Sequence, residues 1–277
     1  MQYYLLVKLS FHNNKYKFCL LVSLLCLLSA CQKSSEPNFL TVEPSFLGHH
    51  INCEQTININ TQGWHVRQLQ FYLANIEGQS KQGLWQKLPM KVTPFQSSNV
   101  ALIGSNCQQA NTEHNWQVKF QESFNAANYN RIRFTLGVPF EFNHINPLQQ
   151  QSPLNLPSMF WVWRSGHKFL RLELLSENRE SWMFHLGSTG CQSMSPVRAP
   201  ITPCTNPNQA RVELPMPADS KLRFNLSALL KNLQLSDNTS CQSSPNNNNC
   251  RPLFERFGLL KNNQMEQVVF EVNNRAL

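Results

Sequence analysis

Seven short runs in which apolar or β-branched residues alternate with polar ones, separated by polar breaks, constrain this 277-residue chain more than any single motif. They are HVRQLQFYLANIE from His65, NWQVKFQ from Asn115, YNRIRFTLGV from Tyr129, SMFWVWRSGHKFLRLELL from Ser158, SWMFHLG from Ser181, ARVELP from Ala210 and EQVVFEVN from Glu266. A period of two turns one side of each run toward a core and the other toward solvent. Many short strands with turn signals between them predict a mainly β chain: an antiparallel β-sandwich, one domain with long loops. Ser220 to Leu235 departs from this pattern, because Leu226, Leu229, Leu230 and Leu233 are spaced by three and four and predict a helix. Within the fourth run, Arg164-Ser165-Gly166 predicts a hairpin with glycine at its turn. On a strand Met159, Trp161 and Trp163 would share one face, a concentration of aromatic surface that is either core or site.

The first thirty residues lie outside this pattern. Lys8, Lys15 and Lys17 precede an apolar run, Phe18 to Leu28, too short to span a bilayer comfortably, and the run ends in Leu28-Ser29-Ala30-Cys31. LSAC resembles the bacterial lipoprotein signal, in which the leader is cut before a cysteine that is then acylated. The resemblance implies a signal peptide at 1–30, Cys31 as the lipidated mature N-terminus, a polar tether at 31–38 and the folded domain at 39–277. Gln32 and Lys33 stand where an inner-membrane retention Asp would sit, so the expected location is the periplasm, lipid-anchored to the outer membrane. Without the leader the chain holds 21 basic and 16 acidic side chains, a formal charge of +5. That balance is too mild for nucleic-acid binding, and no basic run is interleaved with aromatics.

Export also frames the cysteines. Cys19 and Cys26 leave with the leader and Cys31 takes the lipid, so Cys53, Cys107, Cys191, Cys204, Cys241 and Cys250 remain, an even number in an oxidising compartment. Fifteen pairings can be drawn among six cysteines. Sequence proximity favours Cys191 with Cys204 and Cys241 with Cys250, leaving Cys53 with Cys107. No C-x-x-C occurs, which gives redox-motif and zinc-ribbon readings little support.

Enzyme motifs are sparse, and the chain is expected not to be an enzyme. GSTG, Gly187 to Gly190, is not the G-x-S-x-G elbow, and there is no H-E-x-x-H, P-loop or dinucleotide fingerprint. Glu141, Glu173 and Glu177 are the carboxylates a glycosidase would draw on, with a separation that the sequence does not give.

The most informative segment runs from Gly137 to Cys204. FTLGVP (Phe134 to Pro139), NH (Asn143, His144), SPLN (Ser152 to Asn155), MFWVW (Met159 to Trp163), GHKFLRLEL (Gly166 to Leu174) and HLGSTGC (His185 to Cys191) follow one another, with LQFYLANI (Leu69 to Ile76) upstream. Together with Cys53, Cys107, Cys191 and Cys204 this order resembles the MbnP family, four-cysteine copper-binding proteins encoded beside a diheme partner, some of them in methanobactin operons. Three features depart from the family's pattern: His167 stands where the family tends to have Tyr, Pro207-Asn208-Gln209 replaces PNR, and Cys241 and Cys250 are additional.

The resemblance implies that a MauG-like diheme protein of the cytochrome c peroxidase family (MbnH-like) oxidises Trp161, the first Trp of W-x-W, to kynurenine. That residue then helps bind one copper ion, as Cu(I), in copper homeostasis. An intact indole offers only an N–H donor, its lone pair being committed to the ring. Ring opening leaves an aniline nitrogen and a ketone, which can approach a metal. Two imidazoles beside such a nitrogen suit Cu(I), and His144 and His185 are the candidates because they lie in NH and HLGSTGC. Met159 and His167 are secondary candidates, and Trp163 is the packing or electron-relay neighbour. Without the resemblance, His144 reads as part of a turn, NHINP, and His185, opposite in parity to Trp182 and Phe184, as a hydrogen-bonded core histidine. Met159 then reads as gap filler, the tryptophans as sandwich core and His49-His50 as solvent-exposed. The alternative function is a carbohydrate- or peptide-binding β-sandwich lipoprotein whose exposed tryptophans stack on the ligand.

Overall fold

The computed structural model describes residues 38–108, 114–121, 124–162, 164–244, 246–260 and 266–272. Cys31, the leader, most of the tether and Trp163 lie outside the described residues. The strands, in chain order, begin with β1 (Phe39–Phe46), β2 (His49–His50), β3 (Thr56–Ile59), β4 (Gln62–Ser80), β5 (Trp85–Lys87), β6 (Val100–Asn106) and β7 (Gln117–Lys119). They continue with β8 (Tyr129–Leu136), β9 (Leu170–Ser176), β10 (Ser181–Leu186), β11 (Ala210–Pro215), β12 (Lys221–Asn225) and β13 (Phe270–Val272). Each of the seven alternating runs holds one of them.

The 19-residue β4 organises the larger sheet. One of its edges carries β9 along Trp64 to Phe71 and then β8 from Leu73 to Ser80; the other carries β3, β6 and β5 in turn. β10 extends the sheet beyond β9, and β11 extends it beyond β8. The register along β8 shifts between Ala74 and Glu77, where Asn75 takes φ +52°, a bulge conformation that asparagine tolerates. The smaller sheet runs β13-β12-β1-β2, with β7 also on β1. Every pairing in both sheets is antiparallel except β1 with β12, which is parallel and joins Thr41–Ser45 to Lys221–Asn225.

The two sheets meet through phenylalanines. Phe71 of β4 stacks on Phe224 of β12 at 4.9 Å, and Phe134 of β8 meets Phe270 of β13 edge-on at 5.1 Å. All four rings are fully or almost fully buried. Each contributes about 1.5–3 kcal/mol through burial, and each aromatic contact adds roughly 0.5–1.5 kcal/mol. This is the core of a mainly β sandwich. Outward-facing positions pair across strands instead: Arg131 with Glu213 at 2.8 Å, and Arg133 with Glu77, its guanidinium 4.1 Å above the Trp85 ring.

Two local expectations need correction. The helix predicted over Ser220 to Leu235 is confined to Leu226–Leu230, N-capped by Asn225 Oδ1, which accepts from Ala228 N at 3.0 Å. The preceding residues form β12, because Leu222 and Phe224 alternate with polar neighbours and the edge of β1 supplies hydrogen bonds. The hairpin around Arg164-Ser165-Gly166 is present, but it is closed by a single bridge, Phe160 to His167. Met159 ends a 3-10 turn, Pro157–Met159, that Pro157 starts, so it does not share a strand face with Trp161. All three disulfides form as proximity favoured: Cys53–Cys107, Cys191–Cys204 and Cys241–Cys250.

Candidate metal centre

The hairpin carrying Trp161 is drawn tight against the end of β10. Trp161 N donates to Gly166 O at 3.0 Å and Lys168 N to Met159 O at 2.8 Å. The half-buried Trp161 lays its six-membered ring on Gly187, the residue after β10. A Cβ at Gly187 would stand 2.5 Å from Trp161 Cζ3, so only glycine leaves room for the ring. Strand alternation along β10 places His185 on the same side as Gly187, opposite Trp182 and Phe184, which face the core.

His185 is 7% exposed. Its Nε2 donates to Glu173 Oε1 on β9 at 2.9 Å. Arg171 Nε donates to the same oxygen at 2.6 Å, and Gln108 Nε2 to Oε2 at 3.0 Å. Burial alone would raise the Glu173 pKa, but the hydrogen bonds from His185 and Arg171 outweigh it and hold the carboxyl at about 2. A carboxyl held down in this way is a permanent acceptor, the opposite of a glycosidase general acid. Burial pulls the His185 pKa below its ordinary value, against the pull of Glu173. The neutral ring, with its Nε2 proton on Glu173, keeps the Nδ1 lone pair for another partner. This is the carboxylate–histidine arrangement that orients metal-ligating imidazoles. Nearby, Lys168 Nζ and Arg171 Nη1 both donate to Ser158 O, at 2.8 and 3.0 Å. Burial, followed by the Arg171 charge, draws the Lys168 ammonium down to about 8.

His144 lies elsewhere. It caps the short helix Phe140–Asn143 and is 4% exposed. Its Nε2 is 3.7 Å from Cys204 Sγ, and one ring nitrogen of His144 and the two sulfurs of Cys191 and Cys204 all lie within 4.8 Å of one another. The two predicted imidazoles therefore have different immediate surroundings, a carboxylate for His185 and a disulfide for His144. They are linked through Asn143, whose Nδ2 is 3.1 Å from His144 Nε2 and 3.4 Å from Ser188 Oγ, next to the seat of Trp161. Asn143 also governs the hairpin: its Oδ1 accepts from His167 N at 2.9 Å. A Cβ at Gly166, whose φ is +77°, would stand 2.6 Å from Asn143 O.

His167, the secondary candidate, has a scaffold role rather than a ligand's. It is completely buried, and its two ring nitrogens face main-chain carbonyls, Asn143 O at 2.8 Å and Leu154 O at 3.1 Å. Neither nitrogen is open to a metal. Met159 is likewise fully buried, and His49 and His50 are exposed on β2.

Sequence reasoning missed Glu173 as the partner of His185, Asn143 as the hub and Gly187 as the seat. The only signals for them were parity with His185, adjacency to His144 and a glycine directly after a strand. It also left Cys241 and Cys250 without a task. Cys241 docks on the outer edge of β10: His185 N donates to Cys241 O, and Cys241 N to Met183 O, both at 2.9 Å. Ser243, further along, accepts from Gly187 N and donates to His185 O, both at 2.8 Å.

Among solved structures, MbnP from Methylosinus trichosporium superposes with a TM-score of 0.68 at 19% sequence identity, over 80% of this chain and 88% of that one. At that identity the likeness speaks for the fold. No curated protein matches the sequence. The family model described as MbnP matches residues 36–244, three-quarters of the sequence, and the chain belongs to the MbnP family.

Proposed function

We propose that this protein is an exported, Cys31-lipidated copper-binding protein of the periplasm. It holds one Cu(I) with His185, His144 and a kynurenine formed from Trp161 by a MauG-like diheme partner. The observation that carries the proposal is the seat of Trp161 on Gly187, on the same side of β10 as His185 with its uncommitted Nδ1. The donor chemistry fits: the His185 imidazole is buried, neutral and held by Glu173, the form in which histidine ligates. Copper would supply a soft cation that nitrogen and sulfur donors satisfy at low coordination number. The chain's own part is to fix the His185 tautomer through Glu173 and Arg171, to press Trp161 against a glycine, and to bury the ligand side of the site.

The test is production with and without the diheme partner. Without it, Trp161 should stay intact and copper binding should be weak. With it, the peptide containing Trp161 should shift in mass to kynurenine, and one equivalent of Cu(I) should bind. Trp161→Phe should remain copper-poor in both cases. A full equivalent bound by protein with intact Trp161 would sink the kynurenine reading.

A further inference from the structure

A nitrogen of His144 and the sulfurs of Cys191 and Cys204 gather within 4.8 Å of one another, a group of three metal-ligand types among the described residues. As long as the sulfurs are bonded to each other they offer no thiolate. The backbone on one side of the bond also draws the two cysteines' chains together. Thr189 N donates to Asn206 O at 2.9 Å, Asn206 N to Thr189 O at 3.0 Å, and Thr205 N to Gly190 O at 3.3 Å, so main-chain bridges flank both cysteines. Their Cα atoms are 4.0 Å apart. Asn143 turns its amide N–H toward His144 Nε2, because its Oδ1 is taken by His167 N; the nitrogen nearest Cys204 therefore accepts from Asn143 and would exchange that bond for one to the cation. Cys191 is half-buried and starts the loop 192–203, in which Met194 and Ile201 are almost fully exposed, while Cys204 is buried. The Cys241–Cys250 bond, by contrast, is completely buried.

We propose that Cys191, Cys204 and His144 are a redox-gated site for a thiophilic d10 cation, Cu(I) or Zn(II), which comes into being when a dithiol reduces the disulfide. One thiolate of the reductant attacks the accessible Cys191 Sγ, the Cys191–Cys204 bond breaks, and Cys204 leaves as a thiolate beside His144. The second thiolate of the reductant attacks its own sulfur in the mixed disulfide and releases Cys191. The reductant becomes a disulfide, losing two electrons, and the protein gains them as two thiols whose protons depart when the cation binds. Two thiolates and an imidazole are a donor set for Cu(I) or Zn(II). The site needs no kynurenine, but it shares His144 with the copper reading at Trp161, so one imidazole serves one site at a time.

The experiment uses protein carrying Trp161→Phe, which cannot form kynurenine. It is reduced with a dithiol without oxygen, desalted and titrated with Co(II), whose thiolate charge-transfer absorption reports sulfur ligation. Mapping of alkylated thiols should find Cys191 and Cys204 reduced, and one Co(II) should bind with thiolate bands and be displaced by Zn(II) or Cu(I). Unreduced protein and the Cys191→Ser/Cys204→Ser variant should show no such bands. His144→Ala should weaken Co(II) at least about tenfold with the thiol count unchanged. A disulfide that stays closed in the dithiol, a reduced protein without thiolate bands, or bands that survive in the double serine variant would each overturn the proposal. Cys191→Asp needs no reductant and so covers the case in which full reduction unfolds the chain. With Cys204 and His144 it should give a one-thiolate Co(II) site that is lost on adding His144→Ala, and failure to bind Co(II) there counts equally against the site. Success or failure in this background leaves the kynurenine reading, tested with intact Trp161, to stand or fall separately.

Discussion

His185 and His167 lie in neighbouring regions of the protein and are both buried, yet the two regions use an imidazole in opposite ways. Behind the Trp161 hairpin, His167 spans two main-chain carbonyls and packs edge-on to Phe160 and Tyr72. On the outer side of β9 and β10, His185 has one nitrogen on a carboxylate and the other uncommitted. Burial draws both pKa values down. What separates the proposed ligand His185 from the strut His167 is therefore the chemistry of the partners, not the burial. A carboxylate accepts one proton and leaves the second nitrogen open, whereas at His167 a main-chain carbonyl stands against each nitrogen, one accepting the ring's N–H and the other blocking the remaining lone pair.

The comparison breaks most directly at His185. In protein matured with the diheme partner, His185→Ala should lower Cu(I) affinity by at least about 100-fold, more than loss of an outer-shell partner costs, as read by competition with a Cu(I) chelator. Retention of a full equivalent at wild-type affinity would remove His185 from the site and leave the structural contrast without a functional counterpart.

His167→Ala should do the reverse. It opens a cavity between Phe160 and Tyr72 and removes the imidazole from the Asn143 and Leu154 carbonyls, a loss of about 2–4 kcal/mol visible as a lower urea midpoint. Copper bound per folded molecule should hold. If stability stayed unchanged while copper was lost, the two histidines would have been assigned the wrong way round.

Glu173→Gln sharpens the contrast without removing a ligand. The amide nearly matches the carboxylate in shape but not in charge, so it holds the His185 proton weakly. Cu(I) affinity should fall about 10–100-fold, with a much smaller change in thermal midpoint than His167→Ala produces. An unchanged affinity would mean that the carboxylate has no part in orienting the ring.

His185 was named from the family-like motif HLGSTGC, while alternation in SWMFHLG gave only its side of the strand, opposite two core aromatics; the disulfides were legible because their cysteines are close or left over. Much of the large sheet was legible as runs, since β8, β9 and β11 bury one side at period two, whereas β4 is buried on both sides from Gln68 to Ala74. Glu173 was not, because pairing it with His185 needs the β9–β10 register, and register depends on a turn and on core packing rather than on local composition. The β1–β12 pair joins residues about 180 positions apart and runs parallel, which no local period announces. The helix expected from Ser220 was overread because leucines at three and four also satisfied a strand followed by a single capped turn. Gly187 resembled an ordinary loop glycine until the ring resting on it was located.

The smallest effect belongs to Ser243, in a stretch whose sequence, QSSPNNNNC, reads as low-complexity loop. Ser243 is fully buried at φ +59° and bridges the His185 carbonyl and the Gly187 N–H with one hydroxyl. It thereby ties His185 to the seat of Trp161. Ser243→Ala would leave a buried donor and a buried acceptor unmatched, so stability should fall by about 1–2 kcal/mol. Because the side chains of His185 and Glu173 are untouched, copper affinity should drop less than in Glu173→Gln. Kynurenine yield should fall with it, since the Gly187 backbone is then free to shift under the ring. Chemical denaturation, together with mass analysis of the Trp161 peptide after a fixed time with the diheme partner, measures both. A stability loss with full kynurenine yield would show that the loop only supports the fold; a yield that falls in proportion would make the 241–250 loop part of the site.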